Sequence, residues 1–323
     1  MSTKVLGRTG VQVSQLCFGT MSFGGDADEA TSGAMFKAVR DAGINFFDTA
    51  DQYNKGKSEE ILGKLMRGSR EDLVIATKTF NPTGEDRNAK GNSRRHLTRA
   101  LDASLKRLQT DRVEILYLHM HDARVPVEEA MRALEDAVRA GKVLYPALSN
   151  WAAWQIQQAL GVQDANRWAR VQAIQPMYNL VKRQAEVELL PMAAANDVSV
   201  FPYSPAAAGL LSGKYSDKSG QGRLVANKMY TARYGEEWAH EVANKFVAFC
   251  KQRGMHPVST AVAWVGAHPA VTAPIIGARS VQQLQASLDS VKIEMTPDLY
   301  GQITALSRTP PPATDRLEEQ KKA

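Results

Sequence analysis

Two kinds of apolar pattern alternate along the chain. Short apolar runs stop abruptly at a polar residue, and between them lie stretches whose apolar positions recur every three or four residues. The first kind predicts buried strands and the second amphipathic helices. Strand-like runs occupy 16–18, 44–47, 73–77, 113–118, 143–148, 171–174, 198–201 and 271–276. They lead in turn to Gly19, Asp48, Lys78, His119, Ser149, Gln175, Tyr203 and Gly277. Helical patterns are expected over 28–42, ending before Gly43, and over 58–65, where Ser58 is a candidate cap. The clearest helix spans 93–108, where Leu97, Leu101, Leu105 and Leu108 form one stripe. Pro126 suits the first position of another, lined by Val127, Met131, Leu134 and Val138 and closed by Gly141. Shorter helical stretches cover 154–160 and 187–195.

Eight strand-to-helix units in alternation predict an α/β (β/α)8 barrel, a TIM barrel, with right-handed crossovers. A doubly wound sheet would need an early Gly-x-Gly-x-x-Gly after a first strand, and none is present. An N-terminal β-hairpin is expected over 3–14 around Gly7-Arg8-Thr9-Gly10. An extra C-terminal helix is expected from Thr296-Pro297. Residues 212–238 form a long polar segment, read as a functional loop. Residues 309–323, with Pro310-Pro311-Pro312, read as a loosely held tail. The whole of 1–323 is expected to be a single domain.

Composition narrows the classes. The 323 residues are 44% hydrophobic and 23% charged, ordinary for a globular protein. The net charge of +6 comes from 40 basic and 34 acidic residues that are interspersed, so a nucleic-acid footprint is not expected. Cys17 and Cys250 lie in apolar surroundings and read as buried thiols. No signal-peptide core follows Met1 and no run of about 18 apolar residues occurs, so the expectation is a cytoplasmic protein without membrane contact. His119 and His121 lack a third ligand, so no metal is expected.

On a barrel the strand ends meet at one mouth. Asp48, Lys78 and His119 end the second, third and fourth strands, and Tyr53 follows in the loop after Asp48. A tyrosine is a poor acid at neutral pH. A nearby ammonium favours its phenolate and lowers its pKa, while a carboxylate holds the ammonium in place. The histidine can orient a substrate oxygen or relay a proton. The set suits delivery of one proton to a carbonyl and requires a partner that moves hydride.

Motifs distributed over the whole chain carry a family resemblance. They are Phe18-Gly-Thr-Met, Asn45-Phe-Phe-Asp-Thr-Ala-Asp-Gln-Tyr, Ala76-Thr-Lys, Ile115-Leu-Tyr-Leu-His and Leu148-Ser-Asn-Trp. Gln175-Pro-Met-Tyr-Asn, Tyr203-Ser-Pro, Gly209-Leu-Leu-Ser-Gly-Lys-Tyr and Pro274-Ile-Ile-Gly-Ala-Arg-Ser follow in order. The chain resembles the aldo-keto reductase superfamily, most of all the branch of bacterial reductases and potassium-channel β subunits. The resemblance implies Asp48, Tyr53, Lys78 and His119 as a catalytic tetrad, with Tyr53 as general acid. It implies NADPH or NADP+ as cofactor, NADH being weaker, and reversible reduction of an aldehyde or ketone to an alcohol. A redox-sensing regulatory subunit with incidental turnover is the alternative. Gly19, Thr20, Met21 and Asp48 would approach the cofactor from the first two strands. Ser149, Asn150 and Gln175 would hold the nicotinamide carboxamide, and the Tyr203 ring would stack on it. Ser204, Leu210, Ser212 and Lys214 would wrap the pyrophosphate, and Pro205, Gly209 and Arg223 would also contact the cofactor. Gly277, Arg279, Ser280, Gln283 and Ser287 would meet the adenosine and 2′-phosphate. Ser280 and Gln283 also form a capping box, which is compatible with a phosphate at the same helix start. Three departures stand out. Ala286-Ser287 replaces a frequent Glu-Asn, Tyr145-Pro-Ala-Leu replaces a Gly-Val entry to the Ser-Asn pair, and Met120-His121 replaces an Arg/Trp-Pro pair, with Met120 expected to face substrate. Neither substrate identity nor oligomeric state is legible.

Overall fold

The computed structural model of the chain describes residues 1–215, 224, 227–314, 316 and 318. A hairpin of β1 (Thr3–Val5) and β2 (Gln12–Ser14) comes first, paired antiparallel. Eight parallel strands follow: β3 (Cys17–Gly19), β4 (Phe46–Asp48), β5 (Val74–Thr79), β6 (Val113–Leu118), β7 (Val143–Ser149), β8 (Ala173–Gln175), β9 (Ser199–Val200) and β10 (Ile275–Ile276). They run round in the order β10-β3-β4-β5-β6-β7-β8-β9. The seam between β9 and β10 is bridged by backbone hydrogen bonds from Ile275 N to Pro202 O and from Thr272 N to Val200 O, both 2.9 Å. The architecture is the (β/α)8 barrel that the alternation predicts.

Side chains alternate across each strand. Phe18, Phe47, Ile75, Leu116 and Ile174 point outward and pack under the helices. Cys17, Phe46, Ala76, Ile115, Tyr117, Ala147, Ala173 and Phe201 fill the interior. Phe46 and Phe201 meet there edge to face, with ring centroids 4.7 Å apart. Burying each such ring is worth on the order of 2–3 kcal/mol. Leu6 and Val13 belong to the same inner cluster, so the hairpin plugs the barrel's lower end. Gly7 makes this docking possible. Its φ is +47°, and a Cβ would stand 2.6 Å from Oε1 of Gln172.

The helices between strands are α1 (Glu29–Asp41), α2 (Lys57–Leu65), α3 (Arg94–Leu108), α4 (Val127–Arg139), α5 (Ala153–Asn166) and α6 (Leu189–Ala195). Among the described residues three more separate β9 from β10: α7 (Lys228–Tyr234), α8 (Glu237–Gln252) and α9 (Pro257–Ala267). The chain then forms α10 (Val281–Leu288) and α11 (Pro297–Thr304). Thr296 caps α11 as expected, its hydroxyl accepting from Leu299 N at 3.2 Å. Three details differ from the sequence reading. Ser58 is not a cap, since Gly56 holds that place; Ser58 is buried and its hydroxyl donates to Thr20 O at 2.8 Å. Pro126 is the N-cap of α4, one residue before the first turn. The polar segment 212–238 is not all loop, because it contains α7.

Candidate active site

Each residue at the mouth is the next inward position on its strand. Cys17, Phe46, Ala76, Tyr117, Ala147, Ala173, Phe201 and Ile275 face the barrel interior. Two residues on come Gly19, Asp48, Lys78, His119, Ser149, Gln175, Tyr203 and Gly277. The two-residue period of a strand therefore delivers eight residues to one rim.

Lys78 is fully buried, which an ammonium tolerates only with good partners. Its Nζ donates to Asp48 Oδ1, to Thr49 O at 2.8 Å and to the Tyr53 hydroxyl at 3.1 Å. These use all three of its hydrogens. The second Asp48 oxygen accepts from Gln175 Nε2 at 2.8 Å. Burial works against the Lys78 charge, but Asp48 and then Tyr53 outweigh it and hold the pKa above the usual lysine value. Because Tyr53 accepts from Lys78, its own hydroxyl hydrogen is left for the cavity. Burial raises the Tyr53 pKa, and the Lys78 charge opposes this without reversing it. The sequence reading expected lysine to win; the net direction is the opposite, because the cost of burial outweighs the lysine charge.

His119 N donates to Thr79 O at 3.0 Å, fixing the strand exit. Its ring lies edge to face with Tyr53, centroids 6.3 Å apart. Burial, and then the Lys78 charge, push its pKa down to about 3, so the imidazole is neutral. Asn81 Nδ2 lies 3.3 Å from its Nδ1. Asn54 ties the Tyr53 turn to the loop after β3, donating to Met21 O at 2.9 Å and Phe23 O at 2.7 Å. Asn150 is held at φ 58°, with its amide donating to His119 O at 3.0 Å and accepting from the Tyr203 hydroxyl at 2.8 Å.

A cavity of about 680 Å³ opens above this rim. Tyr53, His119, Asn150 and Tyr203 line one end, and Arg279, Gln283 and Ser287 line another part of the same space. Gly19, Met21, Asp48, Ser149, Gln175, Ser204, Pro205, Gly209, Ser212, Lys214 and Gly277 also line it. Thr20, Lys78, Leu210 and Ser280 do not. Thr20 and Lys78 are fully buried and Leu210 nearly so, while the Ser280 hydroxyl caps α10 by accepting from Gln283 N at 3.3 Å. Arg223 lies outside the described residues. Met120 is 44% exposed and lies outside the lining. Arg279 is already engaged, its Nε 3.0 Å from Asp26 Oδ2. Gly209 sits at φ +91° against Lys214, where a Cβ would come within 2.9 Å of Cε.

The sequence reading missed Met229, Tyr230 and Arg233, which α7 brings to the cavity wall. Their i, i+1, i+4 spacing was the available signal. Asn81, three residues beyond Lys78, was missed as well, and nothing in its local sequence marks it. Among the described residues no group of three or more His, Cys, Asp or Glu side chains is placed to hold a metal. The lining fits a long, anionic, partly aromatic ligand. It offers an aromatic ring and amides near Tyr53 and His119, and further along two cations and the capped start of α10.

Residues 15–308 match the Aldo/keto reductase family. The chain is 39% identical over 310 residues to "Uncharacterized oxidoreductase YrpG" of Bacillus subtilis, covering 93% of this chain and 94% of that one. It is 36% identical to a "Probable voltage-gated potassium channel subunit beta" of Oryza sativa, over 98% and 99% of the two chains. A "Versiconal hemiacetal acetate reductase" of Aspergillus parasiticus is 30% identical, over 91% and 93%.

Proposed function

The chain belongs to the aldo/keto reductase family, and from that premise we propose that it uses NADPH to reduce an aldehyde or ketone to an alcohol, reversibly. The observation that carries the reading is the Tyr53 hydroxyl, held by Lys78 at 3.1 Å and facing the cavity beside His119. NADPH, when bound, supplies the hydride to the carbonyl carbon. Tyr53 delivers the proton to the carbonyl oxygen. Lys78 stabilises the phenolate left behind, and Asp48 keeps that ammonium charged and aimed. Neutral His119 donates to the same oxygen and orients it. Ser149, Asn150 and Gln175 hold the carboxamide, Tyr203 gives its ring face, and Ser204, Ser212 and Lys214 meet the pyrophosphate. Arg279 and the start of α10 take the 2′-phosphate. The proposal places the protein in the cytoplasm as a single barrel domain, in keeping with two unpaired buried cysteines.

Tyr53→Phe tests the reading. It removes the transferable proton and keeps the ring, so kcat should fall by at least about 10²-fold, the range of general acid catalysis. The NADPH dissociation constant should stay within about twofold. Retained turnover would sink the assignment. A second reading, a cofactor-sensing subunit, draws on the potassium-channel names among the relatives. Tight NADPH binding with no reduction of any carbonyl in a broad panel would favour it.

A further inference from the structure

Among the described residues, Lys214, Arg233 and Arg279 are the lysine and arginine side chains that line the cavity, and Asp48 is the carboxylate. The proposed function uses Lys214 and Arg279 for cofactor phosphates and leaves Arg233 unassigned. Lys78 and Gln175 already hold the Asp48 carboxylate. Among the described residues Arg233 has no ion pair, and its guanidinium carbon lies 5.8 Å from the Tyr230 ring centroid. A half-buried guanidinium cannot shed its proton, so it keeps a full charge beside an apolar wall.

The position of Arg233 is built, not incidental. Met229, Tyr230 and Arg233 fall on one face of α7 because the helix repeats every 3.6 residues. All three line the cavity. Asn227 caps the helix, its Oδ1 accepting from Met229 N at 3.0 Å, and Thr231 Oγ1 donates to Leu224 O at 2.6 Å. Tyr234 next door is fully buried, its hydroxyl accepting from Asn179 Nδ2 at 3.2 Å. These contacts anchor α7, whose Arg233 lines the same cavity as Tyr53 and His119. The Tyr203 hydroxyl, whose pKa burial raises, feels the Arg233 charge as a lowering influence.

We propose that Arg233 is a specificity residue for an anionic substrate, a carbonyl compound that carries a carboxylate. The inference rests on the reductase reading for where substrate lies. A carboxylate matches the guanidinium fork with two parallel hydrogen bonds and neutralises a cavity arginine to which the proposed function gives no cofactor role. Met229 and the Tyr230 ring give the apolar body of such a molecule a surface beside the charge.

The test compares 4-formylbenzoate with its neutral methyl ester, two aldehydes of one scaffold. Their dissociation constants are measured by calorimetry on the protein saturated with NADP+, which cannot donate hydride, and again without cofactor. Wild type should bind the anion roughly tenfold or more tightly than the ester, the scale of a charged hydrogen bond. Arg233→Ala should abolish that preference and Arg233→Lys should keep part of it. Ester binding should hold within about twofold in both variants, which also shows them folded. Equal binding of anion and ester in wild type, or a preference that survives Arg233→Ala, overturns the proposal. So does a loss of NADP+ affinity in Arg233→Ala that accounts for the whole effect, since the residue then serves the cofactor. Turnover is scored separately. Failure to reduce any aldehyde with the anion preference intact sinks the reductase reading and leaves the anion site standing.

Discussion

Asn81 Nδ2 lies 3.3 Å from Nδ1 of His119, so Nδ1 accepts and the imidazole proton sits on Nε2. The ring is neutral, with a pKa pushed down to about 3 by burial and then Lys78. An amide NH2 only donates, and a neutral imidazole has one donor and one acceptor nitrogen. On the proposed reaction, Asn81 is therefore a positioning residue that leaves Nε2–H as the donor toward the carbonyl oxygen. Nitrogen NMR of His119 should show the neutral Nε2–H form from about pH 5 to 9. Asn81→Asp places an acceptor there, so the proton should move to Nδ1 and kcat should fall roughly tenfold or more. An unchanged tautomer in Asn81→Asp would refute the coupling.

Lys78 and Asp48 form a buried pair in which each depends on the other. Lys78→Met leaves an uncompensated carboxylate, which costs about 3–5 kcal/mol of stability. Adding Asp48→Asn should restore most of that loss, measured by urea unfolding, without restoring turnover. The Lys78 charge also opposes the rise that burial imposes on Tyr53. Alcohol oxidation needs the phenolate, so in Lys78→Met any residual oxidation should move to higher pH. A Lys78→Met protein with the wild-type pH profile would show that Lys78 does not govern Tyr53.

How much of this was legible follows from strand periodicity. A run that stops at Asp48, two residues after inward Phe46, announces both strand and rim position. The same holds for Ala76 and Lys78, and for Tyr117 and His119. Strand lengths were less legible. The apolar run 271–276 contains only the two paired residues Ile275–Ile276, because apolar side chains report burial, not ladder hydrogen bonds. Helix α8 was missed although Ala239, Val242, Ala243, Phe246 and Cys250 recur at helical spacing. Its small alanines and many charges dilute the stripe. Asn81 was illegible because its contact depends on how the loop after β5 folds back over the β6 exit.

Asp51 carries a further consequence of the Tyr53 loop. It is 3% exposed, and neither carboxylate oxygen has a hydrogen-bond partner among the described residues. Burial and then Glu59 raise its pKa to about 7, while Arg107 and Lys78 pull the other way. A raised pKa in the folded state means that the native protein holds a proton the unfolded chain releases near pH 4. Stability from this group is thus full below about pH 4 and is lost as pH rises to about 7. At about 1.4 kcal/mol per pH unit the loss is on the order of a few kcal/mol. Asp51→Asn should flatten this slope and unfold at higher urea than wild type at pH 8, with little difference at pH 4.5. Parallel pH profiles for the two proteins would place the Asp51 charge in contact with water.

On the proposed function, Arg279 is expected to govern the choice between NADPH and NADH, and Asp26 its strength. The two cofactors differ in the 2′-phosphate alone, so a preference must come from groups at that end. Arg279 lines the cavity where α10 begins, and the helix start itself favours an anion. Its Nε is 3.0 Å from Asp26 Oδ2, with both side chains more than a third exposed. Such a surface pair contributes little, about 0–1 kcal/mol, so a phosphate can displace it. A charged hydrogen bond to phosphate contributes about 1.5–3 kcal/mol. Arg279→Ala should therefore weaken NADPH by about one to two decades and leave NADH almost unchanged. Asp26→Asn should act in the opposite sense. It removes a competitor for the guanidinium and a negative charge that repels the phosphate, so the NADPH-to-NADH ratio should rise several-fold, roughly the equivalent of that surface pair. Fluorescence titration of both cofactors against both variants measures this. An Asp26→Asn protein with a lower ratio would show that Asp26 holds Arg279 in its phosphate-binding pose instead of competing for it.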